Sequence, residues 1–174
     1  MKRFWVDVRP WRKDLATAAI ESGADALAVD DAGRVRELGR VATVAENGDL
    51  VPGKDVFEVE IVDKATEEEA LRLSREGLVV VRTRDWTVIP LENLVAQSDR
   101  IIAAVASADE AAVTLTVLER GAAGVLLSTD DPAEVRRTAK TLAGAGREVS
   151  LVPFEVTRIA PVGMGDRVCV DTCS

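Results

Sequence analysis

Histidine and tyrosine are absent from this 174-residue chain, cysteine occurs twice, and lysine is confined to Lys2, Lys13, Lys54, Lys64 and Lys140. Without histidine, Ser-His-Asp and Cys-His hydrolysis and histidine-ligated metals are excluded. Proton transfer then falls to Asp, Glu, Lys, a thiol or a bound cofactor. Cys169 and Cys173 stand in a C-x3-C spacing with no further cysteine to complete a zinc site. Reduced thiols and no metal are therefore expected. Long apolar runs are missing too: nothing approaches the roughly 20 residues of a membrane span. The N-terminus MKRFWVDVRPW lacks the apolar core of a secretory signal, so the expected location is the cytoplasm. With 22 Lys and Arg against 30 Asp and Glu, the formal charge is −8 and the pI ≈ 4.7. That balance argues against a nucleic-acid or anionic-membrane partner, both of which need clustered positive charge.

What is present is an ordinary globular composition, 47% hydrophobic and 30% charged, in a chain long enough for one domain with a substantial core. Short runs rich in Val, Ile and Leu alternate with amphipathic stretches, the pattern of β-α units around a parallel sheet. Strands are expected at Phe4–Val8, Ala26–Val29, Val56–Val62, Leu78–Val81, Ile101–Ala106, Gly124–Leu127 and Val149–Phe154. Helices are expected near Lys13–Ser22, Gly33–Leu38, Thr66–Arg75, Leu91–Ala96, Asp109–Glu119 and Pro132–Ala143. Thr66 and Glu69 have capping-box spacing, and Gly77 stands just past that helix. The segment Glu21–Arg36 is echoed by Glu119–Arg137 as Glu-x-Gly-Ala, a short strand, Asp-Asp and Val-Arg. Such repetition suits a barrel-like, TIM-type sheet, with an open parallel sheet as the alternative. The expected organisation is a β-α repeat domain over 1–155. An extended segment over 156–174 is expected to be the start of a strand-rich region that continues beyond this sequence.

Ligand sites in parallel α/β sheets lie at the carboxyl ends of the strands. The polar residues there are Asp7, Arg9, Asp30, Asp31, Lys64, Arg84, Asp85, Ser107, Asp130 and Asp131. The run VVRTRDW is unusual because the strand ends in Arg82, Arg84, Asp85 and Trp86 where a surface turn would favour Gly, Asn or Ser. Arg84 has the planar fork that suits a carboxylate or phosphate, and Asp85 can act as a base or orient it; alternatively the two shape the turn. Trp86, Ile89 and Leu91 read as packing rather than a cofactor shelf. By period-two parity Lys64 shares a face with Glu58, Glu60 and Val62. On a barrel interior it can form a Schiff base; the alternative is a solvated lysine ahead of an acidic helix start. Asp30-Asp31 and Asp130-Asp131 read as helix caps, with a metal role as the alternative. GMGDRV lacks the third glycine of a dinucleotide signature and reads as a turn.

Four stretches together, WVDVRPW, RDWTVIPLENL, LERGAAGVLLSTDDP and GDRVCVDTCS, resemble the archaeal-type 3-dehydroquinate synthases, or 3-dehydroquinate synthase II, in the family's order along the chain. The resemblance implies a shikimate-pathway enzyme of aromatic amino-acid biosynthesis. Its reaction is NAD-dependent oxidative deamination and cyclisation of an amino-keto acid, 2-amino-3,7-dideoxy-D-threo-hept-6-ulosonate, to 3-dehydroquinate. It further implies a substrate-binding role for Arg84 and Arg167 and acid-base work for Asp85 and Lys64, with no NAD-binding residue assigned. Family chains continue past GDRVCVDTCS, so a C-terminal partner segment or homo-oligomer is expected. A barrel-type Schiff-base aldolase centred on Lys64, and a non-catalytic half of a split enzyme, are the competing readings.

Overall fold

The computed structural model describes residues 2–83, 88–117 and 121–144, with the backbone alone for residues 88–90. In chain order the elements are β1 (Arg3–Asp7), α1 (Lys13–Glu21), β2 (Ala26–Ala28), α2 (Ala32–Arg36), β3 (Ala42–Val44), β4 (Val56–Ile61) and α3 (Lys64–Leu73). There follow β5 (Leu78–Thr83), α4 (Val88–Gln97), β6 (Ile101–Val105), α5 (Ala108–Thr116), β7 (Gly124–Ser128) and α6 (Pro132–Gly144). All strand pairs are parallel, in the order β3-β2-β1-β7-β6-β5-β4. The sheet curls into a half-barrel rather than lying open. Its two edges are joined by the segment between them: Val44 bridges Leu50, and Pro52 bridges Val56.

The central strands β5, β6 and β7 bury both faces, which is why β5 reads as the near-continuous apolar run LVVV, whereas the edge strand β4 exposes Glu58 and Glu60. The convex face lies under the helices in two clusters. Phe4, Val6, Leu27, Val125 and Leu127 meet Leu15, Ala19, Val35, Leu115 and Val135 from α1, α2, α5 and α6. Ile61, Val79, Val81, Ile101 and Ala103 meet Ala70, Leu91, Leu94 and Val95 from α3 and α4. The concave face is a third cluster built around Trp5, with Ala26, Ala28, Val44, Val56, Val80, Ile102, Ala104 and Leu126. Trp5 is 3% exposed. Its indole fills the centre, while alanines on β2 and β6 let the strands bend inward, so the interior is a packed core with its polar mouth at the carboxyl ends.

The internal echo has a structural counterpart. β2 and β7 are the two neighbours of β1, and each is followed by an acidic cap. Asp31 accepts from the Gly33 amide at 2.9 Å at the start of α2, and Asp131 accepts from the Ala133 amide at 2.8 Å at the start of α6. The capping reading of these aspartates therefore holds. The cap of α3 differs from the expected one: Asp63 is the N-cap and accepts from the Thr66 amide at 2.9 Å, while the Thr66 hydroxyl receives the Asp63 amide at 3.1 Å. Asp outcompeted Thr because its carboxylate is the stronger acceptor for helix N–H groups. β3 was not expected; it is three residues long and paired on one side by β2. The strand expected at Val149–Phe154 lies outside the described residues.

Hydrogen bonds hold five of the described carboxyls below their ordinary values: Asp31 through the Asn47 amide, Asp49 through the Thr43 hydroxyl, Asp63 through the Thr66 amide, and Asp14 and Glu69 through Arg12 and Arg72. The aspartates among them titrate lower folded than the unfolded value of about 3.9. Their stabilisation is complete above that value and lost as pH falls through the folded pKa values. Thermal melts are expected to show the midpoint falling below about pH 4, with a shallower fall in Asp63→Asn, whose cap no longer titrates. Trp5→Ala, which empties the centre of the concave core, is expected to cost about 3–5 kcal/mol in urea denaturation. A Cβ at Gly124 would sit on the Arg3 carbonyl oxygen of the neighbouring strand, so Gly124→Ala is expected to express poorly or melt well below the parent.

Candidate active site at the strand ends

Three inward-facing residues at the carboxyl ends of the strands are charged. Asp7 closes β1, Arg82 lies near the end of β5, and Glu58 lies on β4, each two residues beyond an apolar member of the concave core (Trp5, Val80 and Val56). Arg9 follows β1. Arg9 grips Asp7 with two parallel bonds, Nε to Oδ1 at 2.8 Å and Nη2 to Oδ2 at 2.8 Å. Its Nη2 also donates to Glu58 Oε1 at 2.9 Å. Arg82 Nη2 donates to Asp7 Oδ2 at 3.0 Å, and Arg82 Nε to Glu58 Oε2 at 3.4 Å. The Arg82 guanidinium reaches Ser128 Oγ of β7 at 3.3 Å.

The four side chains therefore form a closed ring in which each guanidinium touches both carboxylates. The ring is neutral, and it is unevenly held. The Arg9–Asp7 edge is bidentate and the Arg82–Glu58 edge is the longest. Side-chain exposure rises in step: 13% for Asp7, 29% for Arg9, 36% for Arg82 and 37% for Glu58. The hydrogen bond and charge of Asp7, helped by Glu58, raise the Arg9 pKa above the ordinary arginine value despite partial burial. Arg9 stays charged at every pH at which the protein folds.

Beside the ring is a pocket of ≈ 350 Å³, lined by Asp7, Arg9, Arg12, Arg82, Ser128 and Asp130 among others. Arg12 ties its rim together, pairing with Asp14 of α1 and donating to the Asp130 carbonyl at 3.2 Å. A pocket with convergent guanidiniums and carboxylates at the strand ends can orient a small polar molecule and neutralise charge on it.

Asp7 and Arg9, expected at the strand ends, are in the ring. Lys64 is not. β4 ends at Ile61 and Asp63 starts a helix, so the alternation that placed Lys64 beside Glu58 and Glu60 stops before it. Lys64 is 72% exposed and pairs with Glu67 at 3.5 Å. An amine nucleophile needs desolvation or a neighbouring cation, and this setting gives it a carboxylate and water. Ser107 caps α5 through the Glu110 amide at 3.2 Å. Arg84, Asp85, Trp86, Arg167, Cys169 and Cys173 lie outside the described residues. Glu58 was placed on the inner face by parity but only as a neighbour of Lys64, and Arg82 was missed as a site residue, although counting by twos from Val80 would have placed it on the same face.

Comparison with known proteins bears on what this mouth serves. Residues 1–142 match the 3-dehydroquinate synthase II N-terminal domain. The chain belongs to the 3-dehydroquinate synthase II family. It is 83% identical over its whole length to a 3-dehydroquinate synthase of Methanoculleus marisnigri and 60% identical to one of Methanosphaerula palustris, covering 53% of each. It is 43% identical to a 3-dehydroquinate synthase homolog of Aquifex aeolicus, covering all of this chain and 54% of that one. The chain thus spans about half the length of the curated relatives it matches. Among solved structures, a monomeric form of the phosphoribosylanthranilate isomerase from Thermotoga maritima superimposes with a TM-score of 0.65 at 13% identity, over 83% of this chain and all of that one. That likeness concerns the fold.

The ring predicts a measurable cost when one member is lost. Asp7→Asn removes the more buried of the two carboxylates shared by both guanidiniums and leaves two cations with Glu58 alone between them. It is expected to lower stability by about 1–3 kcal/mol, less than a fully buried pair would because the arginines reach solvent. Raised salt in urea denaturation is expected to narrow the gap between Asp7→Asn and the parent.

Proposed function

We propose that this domain forms the substrate-binding half of an archaeal-type 3-dehydroquinate synthase. In this reading the whole protein catalyses NAD-dependent oxidative deamination and cyclisation of 2-amino-3,7-dideoxy-D-threo-hept-6-ulosonate to 3-dehydroquinate. The match of the whole chain to about half the length of synthases of the family carries the reading. The charged mouth supports it, because the strand ends are where such folds gather ligand-binding groups, and this mouth holds groups of both signs. Arg84 and Arg167 are proposed as further ligands of the substrate carboxylate, and Asp85 as an acid-base group, with Lys64 taking part only from the rim.

Four of the described helix starts do not fit the pyrophosphate of NAD. The starts of α2, α3, α5 and α6 are already capped by Asp31, Asp63, Ser107 and Asp131, and three of those caps would repel a phosphate. Under this proposal the groups that bind the cofactor lie away from these four helix starts. The test is NADH formation from the amino-dideoxy-heptulosonate, measured with this chain and with one extended to the length of its relatives. NADH formation by the longer chain is the expected result; production of 3-dehydroquinate with no need for NAD would overturn the redox part.

A further inference from the structure

The ring at the mouth has a property that a single salt bridge lacks. Its charges alternate around a closed square, Arg9, Asp7, Arg82 and Glu58, and sum to zero. A lone carboxylate entering the ring would bring an uncompensated negative charge against Asp7 and Glu58. A lone ammonium would meet the guanidiniums in the same way. A molecule carrying both charges on one carbon can enter at one edge and keep every neighbour opposite in sign. The Arg82–Glu58 edge is the one to open, being both the longest, at 3.4 Å, and the most exposed. Asp7 and Arg9, joined by two bonds of 2.8 Å, stay together as the fixed side.

We propose that Arg82 and Glu58 form a receptor for the head group of an α-amino acid, the carboxylate seated on Arg82 and the ammonium on Glu58. Glu58 thereby determines specificity, demanding an amine beside the carboxylate. The proposal deepens the synthase reading and rests on it for the choice of this mouth as the substrate site. Three features support insertion. The Arg82 guanidinium is a planar donor fork that matches a carboxylate. Ser128, at 3.3 Å from Arg82, supplies a hydroxyl able to donate to the same carboxylate. The adjoining pocket of ≈ 350 Å³ gives the rest of the molecule a place beside the ring. Arg9 keeps its place on Asp7 and holds the inner side of Glu58 at 2.9 Å, so the carboxylate that receives the ammonium does not swing free.

The test uses three probes that share a seven-carbon chain and differ only in charge: 2-aminoheptanoate, heptanoate and 2-aminoheptane. Each is titrated into the 174-residue chain with protein-observed NMR. 2-Aminoheptanoate is expected to bind about tenfold or more tightly than either singly charged probe. Glu58→Gln is expected to erase that advantage, weakening 2-aminoheptanoate and tightening heptanoate by removing the carboxylate that repels it, and Arg82→Gln to weaken both carboxylates. Equal affinity for 2-aminoheptanoate and heptanoate in the wild-type chain, or binding of neither, would overturn the proposal without recourse to any variant. Retained discrimination in Glu58→Gln would overturn it as well. Discrimination among the probes with neither NADH nor 3-dehydroquinate formed by the extended chain would uphold the head-group receptor and sink the synthase reading. NADH formation with no discrimination would do the opposite.

Discussion

Asp7 and Arg82 meet because the sheet curls. They stand on β1 and β5, which two other strands separate, and in a flat sheet side chains so placed would be well beyond contact. Twist accumulating over seven parallel strands, with alanines on the inner face and one tryptophan at the centre, brings the two together at 3.0 Å. Curvature is thus the constraint on which both the apolar interior and the charged mouth depend. The interior supplies the free energy that holds the curve, and the mouth uses it.

The same curvature explains why charged groups are tolerated one layer above a dry core. Asp7 is the most buried of the four, and it is also the best satisfied, taking a bidentate arginine on one side and a second arginine on the other. The more exposed Arg82 and Glu58 are held more loosely. A graded arrangement of this kind keeps the costly inner charge paired and leaves the outer pair able to exchange partners. Binding sites built on strands in this way are better positioned than sites built on loops, because the backbone ladder fixes where each side chain starts.

The α/β class, the alternation of strands and helices and most element positions were legible in the sequence, since apolar runs and capping residues are local signals. The Asp-Asp pairs were read as caps on that basis, and Asp31 and Asp131 are caps. Two errors had a common origin. Lys64 was carried past the end of β4 by extending strand parity too far, and the α3 cap was placed on Thr66 rather than Asp63 for want of knowing where that strand stopped. β3 was missed although β2, no longer, was expected; β3 sits at the sheet edge and pairs with β2 alone among the strands.

The sequence by itself determined which residues would be polar at strand ends, and its family motifs determined the family. Local chemistry and pattern suffice for both. Which of those polar residues would touch was decided by tertiary structure alone. Arg9 and Glu58 are 49 positions apart and Asp7 and Arg82 are 75 apart, and no period links them. The radius to which seven strands close is a property of the whole sheet. That radius converts four separate charges into one ring.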